Sequence, residues 1–173
     1  MKKYLLYFLF STTLFAHPHT FIDVYPSLQV QDSKTHKITF EWKIDEMTST
    51  MLMMDIDSDG NGKIDKKENK FIEENYFNVF SDYDYYTYIK VDNKTIKFPI
   101  PQNFRAKIEN NRVVYSFDIL GDFDTKNTVV EFGDSDFYVA MVLKDKFIHV
   151  DGAKAKAIGV DNDFYYGYRL EFN

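Results

Sequence analysis

Apolar and polar residues alternate along the first strand-like run of this chain. Ile22, Val24, Pro26, Leu28 and Val30 share one face, and Ile38, Phe40, Trp42 and Ile44 repeat the pattern after a D-S-K-T turn. A period of two predicts a half-buried antiparallel pair. The period then lengthens. Residues 46–56, EMTSTMLMMDI, predict a helix with Met51, Leu52 and Met54 on its apolar side. Residues 66–80 predict a second helix, because Phe71, Ile72, Tyr76, Phe77, Val79 and Phe80 recur mostly at helical spacing. From residue 85 the strand period returns. YYTYIKV and KTIKFPI read as a hairpin across Asp92 and Asn93, and FRAKIE and RVVYSFDIL flank Asn110 and Asn111. TVVEF, FYVAMVL, FIHV, AKAIGV and YRLEF follow, each bounded by Gly, Asp or Asn. Roughly nine to ten strands and two helices predict a mainly β (α+β) fold. It is an antiparallel β-sandwich-like domain with a helix–loop–helix inserted at about residues 46–80.

The segment between the two helices carries its own chemistry. Residues 57–68 read DSDGNGKIDKKE and fit the calcium loop of an EF-hand. Asp57, Asp59 and Asn61 take positions one, three and five. Gly62 takes position six, where the backbone turns sharply, and Lys63 offers its carbonyl at seven. Ile64 fills the apolar position eight, Asp65 acts through water at nine, and Glu68 closes the loop as a bidentate ligand. A hard cation takes about six to eight oxygens in a flexible shell, which this segment can supply. A frame starting at Asp55 fails, because it puts Lys66 at position twelve and an ammonium cannot ligate a cation. The alternative is an Asp/Gly-rich surface turn that binds nothing. No second loop of this type exists in the chain, so the helix–loop–helix has to pack on the sheet instead of on a twin.

The start of the chain looks like an address. Lys2 and Lys3 precede a mostly apolar run over residues 4–15, and Ala16 offers a small residue for cleavage. That is the layout of a secretory signal peptide over residues 1–16, leaving 17–173 as a single periplasmic domain. The run is too short to span a bilayer comfortably, although an uncleaved anchor is the alternative. Loss of the two lysines makes the formal charge of −6 more acidic by two. Such a balance argues against a nucleic-acid partner, which needs a basic stripe. The absence of cysteine excludes thiolate metal sites and thiol nucleophiles. Phe and Tyr are frequent, which a carbohydrate platform would use, but strands also favour aromatics. No Gly-rich phosphate loop, nucleophile elbow or helical His pair is present, so no enzyme is indicated.

Cleavage after Ala16 would make His17 the first residue. A free amine, the rings of His17 and His19, and the Asp23 carboxylate then fall within seven residues. Such donors suit Zn, Cu, Ni and, less well, Co. Pro18 blocks the mode that uses successive deprotonated amides. Chelation by the His17 amine and ring stays open, as does a site completed by His149, His36 or Asp136. The alternative is a polar terminus that leads into the first strand.

The passages AHPHTFID, FEWKIDEM, DIDSDGNGKIDKKE, YDYYTYIKVDNK and DFYVAM occur in that order. Together they resemble the periplasmic family called domain of unknown function 1007, over most of the chain after residue 16. VDNDFYYGYRLEF matches only loosely. The resemblance implies a soluble periplasmic companion of an inner-membrane permease for nickel, cobalt or another transition metal such as zinc. On this reading the protein is a metal-binding accessory with a structural or regulatory calcium site. Two other readings stand beside it. One is a calcium-dependent protein-binding module with no transition-metal role. The other is a copper-binding sandwich with an N-terminal histidine brace, which needs the ring of His149 or His36 beside His17.

Overall fold

A computed structural model describes residues 19–172. The predicted signal peptide and His17 lie outside them. Eleven strands form two sheets among the described residues. The first sheet holds β1 (Thr20–Gln29), β2 (Lys34–Ile44), β5 (Gln102–Glu109), β6 (Arg112–Asp124), β8 (Val139–Val142) and β9 (His149–Asp151). Its order is β5-β6-β2-β1-β8, with β9 also on β1. The second holds β3 (Thr87–Val91), β4 (Lys94–Thr95), β7 (Thr128–Gly133), β10 (Ala155–Asp161) and β11 (Tyr166–Phe172), in the order β10-β11-β7-β3-β4.

The alternation in β1 and β2 works as the sequence predicts. Ile22, Val24, Leu28, Ile38, Phe40, Trp42 and Ile44 are all buried on one face. Phe40 meets Phe132 of the opposite sheet edge-on at 5.7 Å, so the sheets pack face to face in a sandwich-like arrangement. Three hairpin turns carry positive φ at both central residues: Asp32 and Ser33, Asp92 and Asn93, and Asn110 and Asn111. That conformation matches the right-handed twist of the flanking strands, and Asn and Asp tolerate it best.

One element of the topology departs from the expectation. β8 and β9 both run parallel to β1, so the first sheet is mixed and not wholly antiparallel. Alternation shows which side chains face the core, but it is blind to strand direction. KTIKFPI also pairs only over Lys94–Thr95. Pro99 and Pro101 have no N–H to donate to a ladder, and residues 96–101 stay irregular.

The helical insert joins β2 of one sheet to β3 of the other. Helix α1 (Glu46–Ile56) starts at the N-cap Asp45, whose side chain accepts the Thr48 N–H. The Ser49 hydroxyl donates to Ile44 O at 3.1 Å and accepts the Val113 N–H at 2.9 Å, pinning the helix against β6. This fixes its rotation, so Ser49 and Ile56 are buried while Leu52 and Met53 pack partly on the core. Met51 and Met54, expected on the apolar side, are instead 56% and 82% exposed.

Helix α2 (Lys66–Ile72) is shorter than predicted. It continues as a π turn, Glu73–Phe77, and then a 3-10 segment, Asn78–Tyr86. Ile72 and Phe77 are both buried and five residues apart, and an i→i+5 turn brings both onto one face. The 3-10 segment ends with Asp84, Tyr85 and Tyr86 at φ 48°, 51° and 49°. Phe77 reaches the rings of Phe104 at 4.4 Å, Phe117 at 4.9 Å and Tyr85 at 5.1 Å. The insert therefore covers one end of the same face that packs on the second sheet.

Candidate metal centre

Residues 57–68 leave α1 and enter α2 through a hydrogen-bonded turn. Gly60 and Gly62 sit at φ +68° and +73°, which L side chains rarely adopt. The Asn61 N–H forks to Asp57 Oδ1 and Asp59 Oδ1, both at 3.1 Å. Gly62 N–H donates to Asp57 Oδ2 at 2.9 Å, and Lys63 N–H donates to Asn61 Oδ1 at 2.8 Å. Asn61 Nδ2 donates to Asp59 Oδ2 at 2.6 Å. These donors hold the carboxylates inward against their mutual repulsion.

The far side of the loop is closed by a capping box. Asp65 accepts the N–H groups of Lys67 and Glu68, and Glu68 Oε2 accepts the Asp65 N–H at 3.0 Å. Glu68 Oε1 also takes the N–H and the hydroxyl of Ser58, each at 2.8 Å, which ties the two ends of the loop together. The Asp65 N–H and then the Ser58 hydroxyl favour the charged form of Glu68 and hold its carboxyl below the ordinary range. Ile64 packs against the core beside them.

Oxygen atoms of Asp57, Asp59 and Glu68 lie within 4.8 Å of one another. Among the described residues this is the one group of three or more His, Asp or Glu side chains that converges so. Its ligand atoms are all carboxylate oxygens, the donor set of a hard cation. Asn61 sits beside the three, bonded to Asp59, while Asp65 serves as the N-cap of α2. The loop is coupled to the first sheet by the next residue. Asn69 accepts the Ala106 N–H at 2.6 Å and donates to Phe104 O at 3.4 Å, so a side-chain amide docks on the edge of β5.

The histidine candidates are scattered. His19 is exposed, its N–H donates to Tyr138 O at 2.9 Å, and its ring stacks on Tyr138 at 5.9 Å. Asp23 is paired with Arg112 at 2.9 Å, a guanidinium that also bonds the carbonyls of Lys43 and Ile44. His36 is exposed and bonded through Nδ1 to Asp122. His149 lies opposite Ser27, eight residues along β1 from His19, or roughly 26 Å at about 3.3 Å per residue. His36 lies toward the same far end, since Ile38 pairs with Leu28. Of the three suggested third ligands, only Asp136 falls near His19, one residue before Phe137 and two before Tyr138.

Two polar clusters escaped the sequence reading. Asp134 is buried and accepts the N–H groups of Asp136, Tyr138 and Val139. Burial first, then Asp134 and Asp136, push the nearby Tyr86 hydroxyl up to about 12. The second cluster surrounds Glu131, which is fully buried. It accepts from Lys90 at 2.6 Å, Tyr165 at 2.5 Å and Arg169 at 2.6 and 2.9 Å. Burial raises the Glu131 carboxyl, but these donors outweigh it and hold the pKa below the ordinary value.

The chain is similar to known sequences over most of its length. The family model described as "Protein of unknown function (DUF1007)" matches residues 3–158, stopping before β11. An "Uncharacterized 15.5 kDa protein in trpE 3'region" of Spirochaeta aurantia is 36% identical over 95 residues, which span 53% of this chain and 68% of the relative. An "Uncharacterized protein" of Haemophilus influenzae is 27% identical over 154 residues, spanning 84% and 73% respectively. No solved structure matches.

Proposed function

The chain belongs to the DUF1007 family of proteins of unknown function, and we propose that it is a metal-binding protein whose loop at residues 57–68 takes one calcium ion. The observation that carries this reading is the convergence of Asp57, Asp59 and Glu68 oxygens within 4.8 Å, on the spacing of an EF-hand loop. Asn61, the Lys63 carbonyl and Asp65 complete the oxygen set at positions five, seven and nine. Isolated extracellular modules of this kind bind with Kd of about 10⁻⁴–10⁻³ M. Isothermal titration calorimetry tests it. Calcium should give a saturable heat, and Glu68→Gln, which keeps the volume and loses the charge, should abolish it over the same range. A wild-type chain with no calcium heat at millimolar concentration sinks the reading.

The finer reading is an exported accessory protein that serves a transition-metal permease of the inner membrane, with nickel, cobalt or zinc held at His17 and His19. It is supported by the signal-like start and by the position of His19 at the end of the sandwich where Asp136 also lies. Mass spectrometry of the exported protein should find His17 first. The double variant His17→Ala/His19→Ala should lose nickel and zinc binding while it keeps calcium binding. An unchanged transition-metal titration in that variant refutes this part. Calcium heat without transition-metal heat in the wild type would favour a calcium-dependent docking module. The exposed Met47, Met51 and Met54 on α1 would suit that role, because methionine adapts to varied partners.

A further inference from the structure

The sequence holds a single Asn-Gly pair, and it falls inside the metal loop, at Asn61 and Gly62. An asparagine followed by glycine is exposed to attack by its own backbone, because no side chain on the next residue shields the approach. Other turn asparagines here, such as Asn93 and Asn111, are followed by Lys and Arg. Asn61 and Gly62 are both exposed, and a Cβ built on Gly62 would meet nothing within 4 Å.

We propose that Asn61 is a self-modification site, at which the loop deamidates itself unless calcium occupies it. The Gly62 nitrogen attacks Asn61 Cγ, and a new C–N bond closes a five-membered succinimide. The Cγ–Nδ2 bond breaks, and the proton lost from the Gly62 nitrogen leaves with ammonia by way of Asp57 and solvent. Water then opens the ring at either carbonyl and leaves aspartate or isoaspartate at position 61. No oxidant or reductant is needed.

The loop supplies the parts such a reaction uses. Asp57 Oδ2 accepts the Gly62 N–H at 2.9 Å, within the range of a general base on the proton it removes. The Lys63 N–H donates to Asn61 Oδ1 at 2.8 Å, on the oxygen that gains charge as Cγ becomes tetrahedral. Calcium ligated by Asp57 would make that carboxylate a poorer base, and by holding the Asn61 side chain as a ligand it would keep Cγ from swinging onto the Gly62 nitrogen. Asp57 and the Asn61 oxygen are the ligands at positions one and five, so this part rests on the calcium reading above. At calcium about a hundred times Kd the ion-free fraction falls to about 1%, and the reaction slows about a hundredfold. Isoaspartate lengthens the backbone by one methylene between positions five and six, so a modified loop no longer presents its ligands in register. The loop therefore records how long it has gone without its ion.

The test follows the full chain at mildly alkaline pH in three conditions: native with chelator, native with calcium, and unfolded in urea with chelator. Peptide mapping reads the conversion of amide to acid at Asn61, and isoaspartyl methyltransferase labelling reads the branched product. Conversion in the chelated native chain should be faster than in the unfolded one. Asp57→Asn, confirmed as folded by circular dichroism, should bring it to the unfolded rate or below. No conversion at Asn61, or a native rate below the unfolded rate, overturns the proposal. Calorimetry on the same samples separates the two readings. Calcium heat with no protection overturns the calcium control, whereas assisted conversion with no calcium heat keeps the self-modification and removes the calcium site.

Discussion

Phe77→Ala should lower the folding stability by about 3–5 kcal/mol, the range for truncating a buried phenylalanine. The ring is 1% exposed and touches aromatic side chains from β2, β5 and β6 as well as from its own segment. It is the point at which the helical insert is fastened to the first sheet. A chain of this size loses about 2–4 °C per kcal/mol, so Tm should fall by roughly 6–20 °C. Thermal unfolding followed by circular dichroism reads this directly. Phe77→Leu fills most of the space and should cost much less. A loss under about 1 kcal/mol for Phe77→Ala would show that the cavity collapses, and that Ile72 and Ile56 hold the insert without it.

The second large effect concerns Glu131. Glu131→Ala should cost about 3 kcal/mol, the lower end for breaking a buried ion pair, because Lys90 and Arg169 are about a third exposed and can turn to water. The buried Tyr165 hydroxyl has no such escape and loses its acceptor. The sign of the pH dependence follows from the depressed carboxyl. Its folded pKa lies below its unfolded value, so its stabilisation is complete above the ordinary carboxylate range and is lost as pH falls through the folded value. Urea unfolding of the wild type and Glu131→Gln at neutral and acidic pH should give curves that approach one another toward acid. A gap that stays constant with pH would mean that the charge on Glu131 contributes nothing.

How far the chain could be read depends on how local the deciding forces are. The turn at Asn110 and Asn111 and the inward face of β2 follow from neighbouring residues, and both stand as expected. So does the clustering of Asp57, Asp59 and Glu68, because the loop is nearly self-contained. Glu131 was illegible for the opposite reason. Val130 and Phe132 face the core, so alternation puts Glu131 on the outer side of its sheet. It is nevertheless buried, among Lys90 from β3, Arg169 from β11 and Tyr165 just before β11. The exposed methionines of α1 were misread because Asp45 and Ser49 set the helix rotation through bonds to Phe21, Ile44 and Val113. None of those partners can be inferred from a helical period.

The place of β1 in the first sheet has a consequence for the order of assembly. β1 has β2 on one edge and β8 and β9 on the other, so its two edges are covered by segments about a hundred residues apart in the chain. A polypeptide emerging from its N-terminus can close the β1–β2 hairpin early. The second edge of β1 then stays open, with a row of unpaired N–H and C=O groups, until residues 139–151 arrive. Closing so long a loop is entropically slow, which makes the sealing of this edge a late step of folding. Until then the newborn chain offers other chains a ready template, and a cell making this protein has reason to keep a chaperone over its first strand.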